Sequence, residues 1–111
     1  MEINSFGLRE KYLWRMRQLF SLNPEIEKVV LYGSRAKGNH KEGSDIDLAL
    51  VGDEVNFDTI AHIQYVLNEA CSIPYKVDVL HYNSLSNNML KGEIVTFGKE
   101  IYNRNTIKFV A

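Results

Sequence analysis

The sequence predicts an α/β fold of the α+β kind, in which helices pack on a small mixed β-sheet. Three observations favour it: runs with helical and strand periods alternate along the chain, 45% of the 111 residues are apolar, and charges of both signs are interspersed. A length of 111 residues suffices for one hydrophobic core, so we expect residues 1–111 to form a single domain. The predicted order of elements is α-β-α-β-α-β-α, followed by a short strand.

Apolar periodicity divides the first half of the chain into five segments. In order, we predict a helix over residues 5–20, a strand over 27–32, a short helical turn over 34–38, a loop over 39–44 and a strand over 45–51. Asn4 or Ser5 would cap the first helix, and Asn23-Pro24 would end it. The last strand alternates strictly, so Asp45 and Asp47 are expected on the face opposite its leucines.

The second half continues the alternation of helix and strand. We predict a helix over residues 57–70, a strand over 75–80, a helix over 84–94 and a short strand over 100–102. Pro74 separates the first two of these elements, and Gly98 precedes the last. The first of the two helices carries an apolar stripe that we expect to be buried, formed by Phe57, Ile60, Ile63, Leu67 and Ala70.

Composition and charge exclude several classes of protein. The net charge of −1 gives no sign of a nucleic-acid or membrane partner, and no apolar run approaches the roughly 20 residues of a membrane span. The N-terminus lacks a basic-then-apolar leader, so we expect a cytoplasmic protein. Cys71 is the one cysteine, which excludes an internal disulfide and a Cys-x-x-Cys zinc site; we interpret it as a buried apolar residue.

A Gly-Ser pair and an Asp-x-Asp pair lie close together in the chain. Gly33 and Ser34 follow an apolar strand, and ten residues separate Ser34 from the pair Asp45 and Asp47. A glycine allows close approach of the backbone to a phosphate, and a serine that starts a helical turn exposes N–H groups that favour anions. Side chains two apart on a strand point the same way, so the two aspartates are placed to share one divalent ion or to bridge two.

A third carboxylate, Asp78, lies in the middle of an apolar strand. An isolated charge buried there costs several kcal/mol and therefore needs a partner. If this strand lies beside residues 45–51, a metal shared with Asp45 and Asp47 satisfies all three carboxylates. Hard oxygen ligands favour Mg²⁺ or Mn²⁺, which also bind substrate phosphates.

Three basic residues lie in the glycine loop between these motifs: Arg35, Lys37 and Lys41. They are expected to neutralise the charge of a bound triphosphate. His40 and His81 share no metal-ligand spacing, and the sequence leaves open whether they border the site. Together, the loop and the carboxylates predict metal-assisted transfer of a nucleotidyl or phosphoryl group.

These motifs closely resemble the DNA polymerase β-type nucleotidyltransferase superfamily, in which a Gly-Ser motif precedes an Asp-x-Asp motif at a similar distance. The run Gly-Ser-Arg-Ala-Lys-Gly leading to Ser-Asp-Ile-Asp-Leu-Ala looks like the minimal nucleotidyltransferases, and Asp78 matches the position of their third carboxylate. The resemblance covers residues 25–102 and implies the polymerase β-like nucleotidyltransferase fold. Lys37 stands where an arginine is common, which keeps the charge.

The resemblance implies a role for each residue of the motifs. Gly33 and Ser34 would hold the β- and γ-phosphates of a nucleoside triphosphate, with Arg35 as a further phosphate contact. Asp45 and Asp47 would coordinate two Mg²⁺ ions, for which Mn²⁺ can substitute. The third carboxylate would complete the catalytic metal site and help to deprotonate the attacking hydroxyl.

The resemblance also implies a partner. Minimal members of the superfamily typically pair with a small helical protein of the HEPN type in toxin–antitoxin modules, and we expect no acceptor-binding domain in a chain of 111 residues. The implied function is that of an antitoxin that transfers AMP from ATP to a tyrosine of its HEPN toxin. The implied assembly is a hetero-oligomer without direct contact to nucleic acid.

Two alternatives stay open. In the first, the chain is a catalytically silent nucleotide-binding subunit that neutralises its partner by contact, with Tyr12, Trp14 and Phe20 of the first helix as a docking surface. The same stripe also fits an ordinary core. In the second, the acceptor is a small molecule such as an aminoglycoside, and a partner chain or a homodimer completes the pocket.

Overall fold

A mixed β-sheet of four strands runs through the part of the chain that the computed structural model describes, residues 6–107. In order, the elements are α1 (Glu10–Ser21), β1 (Lys28–Tyr32), α2 (Ser34–Lys37), β2 (Ile46–Val51), α3 (Phe57–Glu69), β3 (Val77–His81), a 3₁₀ turn (Tyr82–Ser84), α4 (Asn88–Phe97), β4 (Lys99–Asn103) and α5 (Arg104–Ile107). The predicted alternation of helix and strand is confirmed, and with it the α/β class. No helix within these residues is long and apolar enough to cross a membrane.

The strands lie side by side in the order β3-β2-β1-β4. β1 is antiparallel to both of its neighbours, whereas β2 and β3 are parallel. A parallel pair needs a crossover connection, which α3 supplies between the end of β2 and the start of β3. Tyr32 pairs with Asp47, and Asp47 pairs with Asp78, so these three residues form one row across the sheet, which we call the carboxylate row.

The hydrophobic core lies between one face of the sheet and the helices α1 and α3. Phe20 of α1 meets Tyr102 of β4 edge to face, with the ring centroids 5.5 Å apart. Of the aromatic residues predicted as core or docking surface on this helix, Phe20 is therefore core, whereas Trp14 is 62% exposed. The fully buried side chains of this core include Met16, Phe20, Val29, Leu31, Leu48, Leu50, Ile63 and Leu67.

The opposite face of the sheet is covered in part by α4. Gly98 directly follows α4 and lies so close to β1 that a Cβ atom there would clash with Val30 Cγ1. Ile94 of α4 is buried at this contact. Val30 and Tyr32 are two residues apart on one strand and therefore share a face. The carboxylate row consequently lies on the sheet face that the main core does not use.

Helix α3 differs from the prediction at both of its ends. Phe57 is 81% exposed and Ala70 lies beyond the helix in an exposed position, whereas Thr59 is buried. Asn56 Oδ1 accepts a hydrogen bond from Thr59 N–H at 3.0 Å, and Thr59 Oγ1 donates to Glu25 at 2.9 Å. These bonds fix the first turn with Thr59 facing inward. The predicted apolar stripe is confirmed in the middle of the helix and wrong at Phe57 and Ala70.

Helix α1 begins later than the sequence predicted. It starts at Glu10 rather than at residue 5, and the preceding Gly7 has a φ of 73°, which helical residues do not adopt. The two caps proposed for this helix, Asn4 and Ser5, lie outside the described residues.

Helix α4 is also displaced along the chain, from the predicted 84–94 to Asn88–Phe97. Asn87 causes the shift, because its side chain accepts a hydrogen bond from Leu90 N–H and so caps a later start. The four strands lie within two residues of their predicted limits. The short helix α5 was not predicted.

Candidate active site

Asp47 and Asp78 are direct neighbours on the parallel strands β2 and β3. Adjacent strands are about 4.8 Å apart, and both side chains are half-buried on the same face of the sheet. Asp45 is exposed and lies just before β2, two residues ahead of Asp47. The structure therefore brings Asp47 and Asp78 side by side and places the third predicted carboxylate, Asp45, directly before β2.

The Gly-Ser loop reaches these carboxylates through Gly33. Its φ of 77° and ψ of −155° lie in a region of backbone space that is essentially restricted to glycine. A Cβ atom at this position would be 2.5 Å from Asp47 Oδ2. Ser34 comes directly afterwards and begins α2. The loop and the carboxylate row consequently meet at one place.

Negative charge is concentrated at this meeting point. Burial raises the pKa of Asp47 above its ordinary value, and the charges of Asp78 and Asp45 raise it further. Tyr32, which pairs with Asp47 on the other side, has a pKa raised to about 12 by burial and then by Asp47 and Asp78. A cation bound here would relieve the repulsion between the carboxylates.

The donor atoms of the row suit Mg²⁺, which prefers oxygen ligands. Among residues 6–107, no three histidine, cysteine, aspartate or glutamate side chains are arranged so that they could hold a metal ion by themselves. Asp78 also forms an ion pair with Lys76, with Oδ1 3.7 Å from Nζ. Mg²⁺ commonly binds through one or two carboxylates together with substrate phosphates. Asp47 and Asp78 therefore fit an ion that arrives with a nucleotide, and Asp45 is adjacent.

Arg35 is 2% exposed, and its guanidinium group binds the protein backbone. Nε and Nη2 donate to Ser44 O at 3.1 and 2.8 Å, and Nη1 donates to Phe6 O at 2.7 Å. Its Cζ atom lies 4.5 Å from the centre of the Tyr75 ring. This geometry does not support the predicted contact between Arg35 and phosphate, because the protein encloses the charged group. Arg35 instead ties α2 to the residue that precedes Asp45.

The two lysines of the loop have different surroundings. Lys37 Nζ forms an ion pair with Glu93 of α4 and lies 5.2 Å from the centre of the Phe97 ring. Lys41 is exposed on the loop. Lys37 thus has a carboxylate partner on α4, and the role of both lysines toward phosphate stays a prediction.

Three other residues considered from the sequence lie outside the carboxylate row. His81 Nε2 is 2.9 Å from Gly52 O, at the other end of β3 from Asp78. His40 lies beside Arg35 near Gly7, and its Nδ1 is buried without a hydrogen-bond partner among residues 6–107. Cys71 is half-buried against the core, and burial raises the pKa of its thiol.

Sequence reasoning missed one residue of the row, Tyr32, and two residues close to it, Gln64 and Asn68. Tyr32 directly precedes Gly33, so an antiparallel pairing of the first two strands was the signal that would have placed it opposite Asp47. Gln64 and Asn68 are four residues apart and therefore share one face of α3. Both donate hydrogen bonds to β3, the strand that carries the third carboxylate.

Comparison with known proteins places this chain among nucleotidyltransferases. The family described as "Polymerase beta, Nucleotidyltransferase" matches residues 15–107. A Methanocaldococcus jannaschii protein named "Putative protein adenylyltransferase" is 34% identical over 86 residues, which cover 75% of this chain and 73% of that protein. The protein adenylyltransferase MntA of Shewanella oneidensis is 29% identical over 79 residues, which cover 71% of this chain but 55% of MntA.

Solved structures share the fold. A crystal structure described as a toxin-antitoxin with AMP-PNP has a TM-score of 0.67 at 22% identity and covers 93% of this chain and 80% of that chain. A structure of a tri-AMPylated Shewanella oneidensis HEPN toxin in complex with an MNT antitoxin has a TM-score of 0.59 at 18% identity, with coverage of 89% and 78%. With the family match over residues 15–107, these findings establish that the chain belongs to the polymerase beta nucleotidyltransferase family.

Proposed function

We propose that this protein transfers AMP from ATP to a tyrosine hydroxyl of a HEPN-type toxin and thereby acts as its antitoxin. The observation that carries the proposal is the pairing of Asp47 with Asp78 next to Gly33. Relatives named protein adenylyltransferase support the reaction, and the fold shared with an antitoxin bound to a tri-AMPylated HEPN toxin supports the partner. ATP as the donor is supported by the toxin-antitoxin structure with AMP-PNP, an ATP analogue. We assign the reaction to the cytoplasm, where ATP is available.

The nucleotide is proposed to bind where the Gly-Ser loop meets the row. Gly33 lacks a side chain, so its backbone and that of Ser34 are assigned to the β- and γ-phosphates. Asp45, Asp47 and Asp78 are assigned to two Mg²⁺ ions, for which Mn²⁺ can substitute. Bound Mg²⁺ supplies Lewis-acid stabilisation of the phosphate oxygens.

The proposed chemistry is an in-line displacement at the α-phosphorus. The tyrosine oxygen forms a bond to this phosphorus, and the bond from the phosphorus to the pyrophosphate oxygen breaks, so pyrophosphate leaves with the electron pair. Asp78 accepts the proton of the attacking hydroxyl. Asp45 and Asp47 would hold the Mg²⁺ ions, whose positive charge would attract the triphosphate.

Intact mass spectrometry of a co-expressed HEPN partner tests the proposal. We expect the partner to gain whole AMP units with the wild-type protein and none with Asp47→Asn, because the central carboxylate of the row is lost. Asp58→Asn is the matched control, since Asp58 is an exposed aspartate of α3 away from the row. It should modify the partner as the wild type does.

The same experiment separates the alternatives. An unmodified partner that co-purifies with the wild type would contradict the proposal and favour neutralisation by contact. Modification of the partner by Asp47→Asn would show that the carboxylate row is not the catalytic site. Transfer of AMP to an aminoglycoside by the isolated protein, without modification of the HEPN protein, would favour the small-molecule acceptor.

A further inference from the structure

The strand that carries Asp78 lies at the edge of the sheet, and side chains of α3 bind its outer side. Asn68 Oδ1 accepts from Val77 N–H at 2.9 Å, and Asn68 Nδ2 donates to Val77 O at 2.8 Å. Gln64 Oε1 accepts from Val79 N–H at 2.7 Å, and Gln64 Nε2 also donates to Val77 O. We call these two side chains the amide clamp.

The amide clamp replaces a missing neighbouring strand. An edge strand ordinarily presents unpaired N–H and C=O groups along its free side. Here the two N–H groups and one C=O group that flank Asp78 are bound by side-chain amides instead. Asn68 Nδ2 also donates to Gln64 O at 2.8 Å, which orients the Asn68 amide from within its own helix.

The position of the clamp matters because Asp78 faces a like charge. Asp78 is paired with Asp47 across β2 and β3, and like charges on directly opposite residues destabilise a strand pair. Within the sheet that residues 6–107 form, β3 is hydrogen-bonded to β2 alone. The repulsion therefore acts on the one strand pairing that holds Asp78, and the clamp secures β3 from its other side.

We propose that Gln64 and Asn68 are positioning residues that hold Asp78 in the carboxylate row against repulsion from Asp47. The proposal rests on the proposed function in one respect, the role of Asp78 as a metal ligand. Partners that orient metal ligands typically change metal affinity about 10- to 100-fold when they are removed. The clamp acts through hydrogen bonds to the backbone on either side of Asp78, and the proposal requires no contact between the clamp and the substrate.

The first test is a Gln64→Leu variant, which keeps the approximate size of the side chain and removes its hydrogen bonds. We expect hydrogen exchange to accelerate at Val79 N–H and Mn²⁺ binding, measured by electron paramagnetic resonance, to weaken about 10- to 100-fold. Gln18→Leu on the exposed side of α1 is the matched control and should change neither measurement. Unchanged Mn²⁺ binding in a folded Gln64→Leu protein would overturn the proposal.

A double-mutant cycle with Asp78→Asn tests the clamp without any metal. Without the clamp, β3 of the wild type can move away from Asp47 and relieve the repulsion, whereas Asp78→Asn leaves no repulsion to relieve. The loss of Tm caused by Gln64→Leu should therefore be smaller in the wild type than in the Asp78→Asn background. Equal losses of Tm in both backgrounds would show that the Gln64 hydrogen bonds stabilise the fold independently of the charge on Asp78, and would overturn the proposal. If Gln64→Leu fails to fold, Asn68→Leu enters the same cycle, since it removes the two Asn68 bonds to Val77 and leaves the Gln64 bonds to Val77 O and Val79 N–H.

The two tests also separate this inference from the proposed function. A wild-type protein that binds no Mn²⁺ would contradict the metal site, and the Tm cycle would still decide whether the clamp opposes the repulsion. A wild-type protein that binds Mn²⁺ and modifies its partner, combined with equal Tm losses in the cycle, would retain the function and reject the clamp.

Discussion

Gly33 and Asp47 approach each other so closely that a Cβ atom on Gly33 would lie 2.5 Å from Asp47 Oδ2. The Gly-Ser loop and β2 are therefore in contact through a position that has no room for a side chain. This contact joins the two halves of the site, because Ser34 starts α2 immediately after it and Asp47 lies at the centre of the carboxylate row.

Gly33→Ala is expected to abolish AMP transfer, since the new methyl group displaces the Asp47 carboxylate. The backbone strain at this φ and ψ adds about 1–3 kcal/mol of destabilisation. Gly43→Ala is the matched control: its φ is also positive, at 84°, but no atom of residues 6–107 lies within 4 Å of the added Cβ. Urea unfolding and Mn²⁺ titration check both variants. Equal Mn²⁺ affinity in the two would show that the clash has no effect on the site.

Arg35→Lys is expected to destabilise the protein by about 2 kcal/mol or more, because lysine keeps the charge but not the paired bonds to Ser44 O and the bond to Phe6 O. Arg17→Lys is the control, since Arg17 Nε makes one bond to a backbone carbonyl, that of Ile101, at 2.7 Å. Denaturant unfolding should show the larger loss at position 35. A stable Arg35→Lys protein with weakened ATP binding would favour the original interpretation of Arg35 as a phosphate contact.

Asp47→Asn is expected to stabilise the metal-free protein at pH 7. The pKa of Asp47 is raised above its ordinary 3.8 in the folded state, so the folded protein binds this proton more tightly than the unfolded chain. The stabilising contribution is present below pH 3.8 and is lost as the pH rises through the raised pKa. Unfolding in the presence of a chelator should show a gain for Asp47→Asn at pH 7 that shrinks on acidification.

A gain of the same size at both ends of the pH range would contradict this account of Asp47. Asp58→Asn, at an exposed position, is the control for the loss of one negative charge. Saturating Mn²⁺ should reverse the order of stability, because the ion stabilises the wild type and loses a ligand in the Asp47→Asn variant.

Tyr32→Phe is expected to reduce the loss of stability in alkali. Burial, Asp47 and Asp78 raise the pKa of Tyr32 from 10.0 to about 12, so its contribution to stability is present below pH 10 and is lost as the pH rises toward 12. An ultraviolet titration of the tyrosine phenols should show a late component, the ionisation near pH 12, in the wild type but not in the variant. The same late component in the variant would assign it to another tyrosine.

The elements of the fold were predictable where one side of a segment faces the core. β1 contains a run of β-branched residues, and β2 begins with alternating apolar and acidic residues. The predicted limits of both strands were right to within one residue. The first turn of α3 was not predictable in the same way, because the inward position of Thr59 depends on Glu25, which is distant in the sequence. A helical period shows which residues share a face of the helix, but it does not show which residues elsewhere in the chain orient that face toward the core.

The site was predictable in its carboxylates and glycine, and less so in its basic and amide side chains. The Gly-Ser and Asp-x-Asp motifs are adjacent in the sequence, so one site built from both was expected, whereas the contact of Gly33 with Asp47 depends on the antiparallel pairing of β1 with β2. Arg35 belongs to a residue type that is seldom buried, and the carbonyl groups that enclose it are brought there by folding. The pairing of Gln64 with β3 likewise depends on how the helix lies against the edge strand.

The order of the strands has a consequence for the way the molecule is made. β1 and β2 are consecutive and antiparallel, so a short connection joins the Gly-Ser loop to Asp47, whereas Asp78 is reached through a crossover that contains the whole of α3. Short closures cost less chain entropy and form sooner than long ones. During folding, the Gly-Ser loop and the first two carboxylates are thus expected to come together before the third joins them. Until β3 docks, the acidic site would then be chemically incomplete.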